Sequence, residues 1–280
     1  MTYVDELRAL LLHVFEKSGV SPQVFHILTS DENMKIYTAA FTTMAYDPTH
    51  NYEYYEQIGD GVIGSFIVQY LYRRFPMLQS CDGVKVVSRI KIKYASRNEL
   101  ARIGESLGLW PMIRASEKQL MSTKKDLIED VFEAFIGATV WIADLNGKIG
   151  DGFSVAYSIL KTIFDRIHIS FQYEDLFDAK TRLKEVYDMF RNDLGLKVVY
   201  NNERMLGPSD GGFAAKQGVV RSAVMLSLGA GLEPREIGVG ISARQIDAEQ
   251  KAAEKALKYL EECGYSRAPK KIVPAATLSA

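Results

Sequence analysis

The sequence predicts an α+β multidomain protein: an all-helical part over residues 1–172, an α-β-β-β-α unit over 173–266, and a flexible tail over 267–280. Three observations predict it. Apolar residues recur at three- and four-residue spacing through the first part, the pattern switches after about residue 178 to short β-like runs framed by helices, and turn signals punctuate both parts.

The helical reading rests on runs such as Leu7, Leu11, Val14, Phe15 and Phe66, Ile67, Tyr70, Leu71, each of which falls on one face of a 3.6-residue turn. Ser21-Pro22, Asp47-Pro48, Phe75-Pro76, Trp110-Pro111 and Asn146-Gly147 mark the breaks. In the second part a helix is expected over 180–193, strands near 197–205, 213–228 and 236–241, and a closing helix over 243–262 rich in Ala, Lys and Glu. The link at 171–177 is short and polar. The tail, with Ala268-Pro269 and Val273-Pro274, reads as disordered.

Composition narrows the function classes. Lys and Arg number 34 against 35 Asp and Glu, a formal charge of −1, so no overall positive field advertises a polyanionic partner and nucleic-acid binding has to come from local patches. Cys81 and Cys263 stand far apart, and His13, His26, His50 and His168 are scattered, which argues against a disulfide framework and a zinc site. The amino terminus lacks a basic n-region and an apolar h-region. The longest nearly apolar stretch, 131–143, is interrupted by Glu133 and falls short of the roughly 20 residues that span a bilayer. The expectation is a cytoplasmic protein without membrane partners.

The chemistry is concentrated in two segments. In 51–64, Glu53, Glu56 and Asp60 are spaced by three and four residues, which stacks their carboxylates on one helix face that continues through Ile63, Gly64, Ile67 and Leu71. The opposite side, Ile58, Val62 and Phe66, is also apolar, so the helix is expected to be buried and its acids to need compensation. In 126–142, Asp130 and Glu133 lie one turn apart on an almost wholly hydrophobic helix. If the two faces meet, carboxylates about 4 Å apart repel by roughly 4 kcal/mol at an effective dielectric near 20. A divalent cation relieves that, and an all-oxygen cage suits Mg2+ or Mn2+. Spacing alone also fits a solvated acidic face. The basic strip Lys85, Arg89, Lys91, Lys93, Arg97 reads either as a track for a phosphate backbone or as another solvated face.

These residues carry a resemblance. The stretch 51–64, NYEYYEQIGDGVIG, is similar to the signature of the ribonuclease III family, roughly N-Y-E-R-L-E-F-L-G-D-A-V-L-G. Residues 130–138, DVFEAFIGA, resemble that family's second acidic motif, and 97–108 resemble the helix placed between them. The resemblance implies an all-α ribonuclease III endonuclease domain that cleaves double-stranded RNA to 5′-phosphate and 3′-hydroxyl ends. In it Glu56, Asp60, Asp130 and Glu133 would hold Mg2+ or Mn2+, and Glu53 would complete the catalytic set near the scissile phosphate. It also implies a homodimer. Gln57 replaces the family's dimer-contacting Phe, and Tyr54-Tyr55 its Arg-Leu. Gln79 and Ser80 stand where a further acid is common, with Asp82 the nearest candidate, and Thr42-Thr43-Met44-Ala45 replaces Thr-His-x-Ser.

The second part resembles a double-stranded-RNA-binding domain in residues 178–185, in Tyr200 with Gly207-Pro208 and Phe213, in 237–242 and in 248–257. By that resemblance Lys180, Thr181, Glu185, Pro208, Arg244 and Lys251 would contact RNA, reading A-form shape. Asp210 replaces the family's loop His, and Arg244-Gln245-Ile246-Asp247 its Lys cluster, so weak RNA binding or a protein-contact role is expected. The alternative to an active endonuclease is a non-cleaving protein of this fold that binds or sequesters duplex RNA or is structural in a ribonucleoprotein.

Overall fold

The computed structural model describes residues 2–194, 197–205, 218–227 and 234–267. They divide into two compact units, Met1–Ile169 and Ser170–Ala280, a boundary slightly upstream of the expected 172/173.

The first unit is built from α1 (Tyr3–Glu16), α2 (Pro22–Leu28), α3 (Asn33–Ala40), α4 (Glu53–Arg74), α5 (Cys81–Tyr94), α6 (Arg97–Ser106), α7 (Glu117–Ser122), α8 (Lys124–Asn146) and α9 (Asp151–Phe164). The expected breaks are the observed ones, and each has a local cause. Ser21 caps α2 with Pro22 in its first turn, and Ser80 Oγ accepts from Gly83 N at 3.1 Å to restart the chain after Pro76. Helix α8 is buried on every side over 131–140 because it is the axis of the unit. It packs against α4, α6, α9 and α3 and buries Leu127, Val131, Phe132, Phe135, Ile136 and Ile142. Phe15, Tyr37 and Phe135 form a ring cluster in that core, and the fully buried Tyr37 hydroxyl is satisfied by Thr139 Oγ1 at 3.0 Å.

The loop ahead of α4 is fastened at Thr42 and Thr43. Thr43 N donates to Arg114 O at 2.9 Å, Thr43 Oγ1 donates to Gln119 Oε1 at 3.1 Å, and Tyr52 N donates to Thr42 O at 2.9 Å. These bonds set the start of α4 and with it the height of Glu53 and Glu56.

The second unit runs α10 (Tyr173–Leu176), α11 (Ala179–Met189), α12 (Arg191–Leu194), β1 (Lys197–Met205), β2 (Val219–Ser227), β3 (Arg235–Ser242) and α13 (Gln245–Glu262). The single helix expected over 180–193 is broken at Phe190, whose ring lies edge-on to that of Tyr265 at 5.4 Å. Residues 213–217 of the second expected strand, with Pro208 and Asp210 before them, lie outside the described residues, as does the tail from 268. The strands form an antiparallel sheet in the order β1-β2-β3, with Lys197 opposite Ser227 and Val220 opposite Ser242. Leu183, Val186, Val224, Leu226, Ile237, Ala252, Ala256 and Leu260 form its core. Helix α13 lies almost on the backbone of β3, because Cβ atoms at Gly238 and Gly240 would come within 2.3 Å of Ala252 O and 2.0 Å of Ala248 O. Alanine on one side and glycine on the other are what this approach requires.

Candidate active site

Helices α4 and α8 touch backbone to backbone. A Cβ on Gly59 would lie 1.9 Å from Glu133 O, and one on Gly137 would lie 1.9 Å from Tyr55 O, so glycine at both positions sets the crossing. Glu56 and Asp60 flank Gly59 in sequence. The crossing therefore carries Glu133 directly onto them.

A cavity of about 630 Å³ opens at this point, lined by Glu53, Tyr54, Glu56, Gln57 and Asp60 of α4, by Ala95 just after α5, and by Glu129 and Glu133 of α8. Among the predicted site residues, Glu53, Glu56, Asp60 and Glu133 share its wall. Asp130 stands beside it, its carboxylate accepting from the Tyr52 hydroxyl at 2.8 Å. The cavity acquires Glu129 as well, which sequence reasoning passed over. The available signal was its four-residue spacing from Glu133, a same-face relation on α8. Glu129 is held by Arg97 Nε at 2.6 Å, and Arg97 also pairs with Asp126 at 3.1 Å. Asp82, the candidate for a further acid, does not line the cavity. It is 96% exposed at the start of α5 and pairs with Lys85 at 3.5 Å.

Electrostatics mark the cavity as strained. Burial, then the fields of Glu129, Asp60, Glu56 and Asp130, pushes the Glu133 carboxyl up to about 8. Burial followed by Asp130 and Glu53 raises Glu56 to about 7. Asp130 is raised to about 6 by burial, against which the Tyr52 hydrogen bond pulls it down. Glu133 is only 6% exposed, and no described residue makes a salt bridge or side-chain hydrogen bond to Glu133, Glu56 or Asp60. Among the described residues no three acids stand at direct-ligation spacing. The donors are spread around an open volume instead, which fits an ion that keeps several of its waters, as Mg2+ does.

In the second unit the predicted RNA contacts are engaged internally. Lys180 makes a short ion pair with the largely buried Glu249, which also accepts from Asn202 Nδ2 and Gln245 Nε2, both at 2.8 Å. Asp178 caps α11, its carboxylate accepting from Thr181 N at 3.0 Å and from Thr181 Oγ1 at 2.8 Å, and Glu185 accepts from Tyr173 and pairs with Arg267. Arg244 forks onto Asp247 at 2.8 and 3.0 Å, and Lys251 Nζ donates to Ile241 O at 3.1 Å. Pro208 lies outside the described residues.

A family model described as the ribonuclease III domain matches residues 53–141, a span that contains every residue lining the acidic cavity. A protein of Invertebrate iridescent virus 6, provisionally named ribonuclease 3, is 37% identical over 254 residues, 86% of this chain and 83% of that one. The chain belongs to the ribonuclease III family. It thereby joins a family of endoribonucleases. The ribonuclease 3 of Methylococcus capsulatus is 30% identical over 216 residues, 76% of this chain and 83% of the bacterial protein. The solved nuclease domain of ribonuclease III from Campylobacter jejuni matches 50% of this chain and 91% of its own at 26% identity, with a TM-score of 0.41. No described helix of this family member is long and apolar enough to cross a membrane.

Proposed function

We propose that the chain hydrolyses double-stranded RNA at the cavity between α4 and α8, using Mg2+ with Mn2+ as a substitute, and leaves 5′-phosphate and 3′-hydroxyl ends. The observation that carries this reading is Glu133: 6% exposed, facing Glu56, Asp60, Glu129 and Asp130, and bonded to no described cation. Uncompensated carboxylates at this density hold protons near neutral pH unless positive charge arrives. The donor set is all oxygen, which suits Mg2+ or Mn2+ and not a soft metal.

The chemistry that a bound divalent ion would supply here is a lowered pKa for its bound water and an offset to the charge on the phosphate. Glu56, Asp60 and Glu133 would hold the ion, with Asp130, beside the cavity and held by Tyr52, completing the set. Glu53, at the start of α4, would meet the strand beside the scissile phosphate. Arg97 draws Glu129 and Asp126 to itself and limits the negative charge the ion must balance.

The second unit, with its α-β-β-β-α order, is read as a double-stranded-RNA-binding domain of reduced affinity. Lys180, Arg244 and Lys251 each have to leave an internal partner to reach phosphate. A homodimer accords with the exposed rings of Tyr54 and Trp141, which meet at 5.2 Å beside the cavity. The exposed free thiols of Cys81 and Cys263 accord with a reducing, cytoplasmic setting.

Incubating the full chain with Mg2+ and a long RNA duplex tests the reading against Glu133→Gln and Asp60→Asn. Wild type should cut, and each variant should be slower by about 100-fold or more. Equal cleavage by all three would trace the activity to a contaminant and overturn the assignment.

A further inference from the structure

The basic strip near α5 does not act as one surface. Lys85 pairs with Asp82 at 3.5 Å, Lys93 lies 5.5 Å from the centre of the Tyr94 ring, and Arg97 is committed to Asp126 and Glu129. Lys91 is directed to α4. Its Cε and Nζ lie 3.0 and 3.2 Å from where a Cβ on Gly64 would stand, so the side chain occupies the space that this glycine leaves empty.

That place is set by two helical repeats. Gly64 follows Asp60 by four residues, about 6 Å along the same face of α4. Ala95 follows Lys91 by four residues and is the contribution of this segment to the cavity wall. The Lys91 ammonium therefore stands against α4 one turn beyond Asp60, outside the residues that line the cavity and between two segments that reach its wall. It is exposed, and no described residue accepts a hydrogen bond or forms an ion pair with it.

Two needs meet there. A cavity walled by carboxylates repels the polyanionic strand it has to receive, and a metal among the acids does not hold the phosphates that flank the reacting one. Lysine on a flexible stem is a point-charge phosphate ligand. We propose that Lys91 is a substrate-binding residue, whose ammonium takes a non-bridging oxygen of an RNA backbone phosphate next to the scissile one, with Gly64 leaving the room for it. This deepens the reading given above and rests on it.

The test uses the full chain and a 30-base-pair RNA duplex, with Ca2+ in place of Mg2+ for binding and Mg2+ for cleavage. Lys91→Met should flatten the salt dependence of binding by about one unit of slope, near the 0.9 expected per phosphate contact. It should also lower kcat/KM about tenfold, mainly through KM. Lys91→Arg should restore both. Gly64→Ala, which keeps the charge and takes its space, should shift both in the same direction as Lys91→Met. Unchanged slope and cleavage in Lys91→Met, at a native melting temperature, overturn the assignment of Lys91 alone. If Lys91→Met fails to fold, Gly64→Ala decides by the same criteria. A wild-type chain that neither binds nor cuts the duplex overturns this inference together with the function it rests on.

Discussion

Glu133 is buried by α8 and faced by acids of α4, and its carboxyl titrates near 8 where an exposed glutamate would titrate near 4.5. Glu56, near 7, and Asp130, near 6, follow the same direction. In each case the folded state retains a proton that the unfolded chain has already released, so the native protein binds more protons across this interval. Stability of the metal-free protein is accordingly highest near the unfolded values and falls as pH rises through 6, 7 and 8. A divalent ion binds the ionised carboxylates and should reverse the trend, protecting more at higher pH. Melting curves in EDTA at pH 5.5 and 8.5, repeated with Mg2+, measure this. A metal-free Tm that does not fall with pH, or equal Mg2+ protection at both values, contradicts it.

At the scale of elements, the crossing of α4 and α8 is what makes neighbours of acids far apart in sequence, such as Asp60 and Glu133. Each helix contributes a glycine at the contact, and neither can take a side chain without pushing the backbones apart. Gly137→Ala should cost on the order of 3 kcal/mol, a fall of roughly 6–12 °C in Tm for a unit of this size. It should also weaken Mg2+ protection, because widening the crossing draws Glu133 away from Asp60. Calorimetry with and without Mg2+ reads both effects, and a Tm within a degree of wild type would show that the contact has slack. The second unit repeats the device with Gly238 and Gly240 under α13, there in the service of packing alone.

For the whole molecule, the proposed function has one acidic cavity serve one strand, so that cutting a duplex on both strands would take a second copy. The proposed homodimer makes a mixed population informative. Wild type co-assembled with Glu133→Gln should yield nicked duplexes in proportion to the mixed dimers, whereas pure wild type should yield double-strand breaks. Sedimentation of the same sample gives the assembly state independently. A monomer that makes double-strand breaks at low enzyme concentration would exclude the arrangement.

Much of this was legible in the sequence, for stated physical reasons. Helical periodicity and Pro- and Gly-marked breaks are local, so the all-helical character of the first part and the α-β-β-β-α succession of the second could be read directly, as could the acids at three- and four-residue spacing. The interruption at Phe190 was not legible, because the run 180–193 holds no Pro or Gly to mark it. Nor was the membership of Glu129 in the cavity in place of the acid sought near 79–82: helical spacing leaves Glu129 and Asp130 both close to Glu133, and only the packing of α8 decides which of them faces the cavity and which is held by Tyr52. The basic residues show the same limit. Composition and spacing cannot distinguish Lys91, set against Gly64, from Arg97, spent on Glu129. The sequence by itself determined the elements, the family and the kinds of side chain available for chemistry, because those follow from local pattern. The tertiary structure alone decided which charges converge and which are neutralised, because burial and charge pairing arise only when distant helices meet.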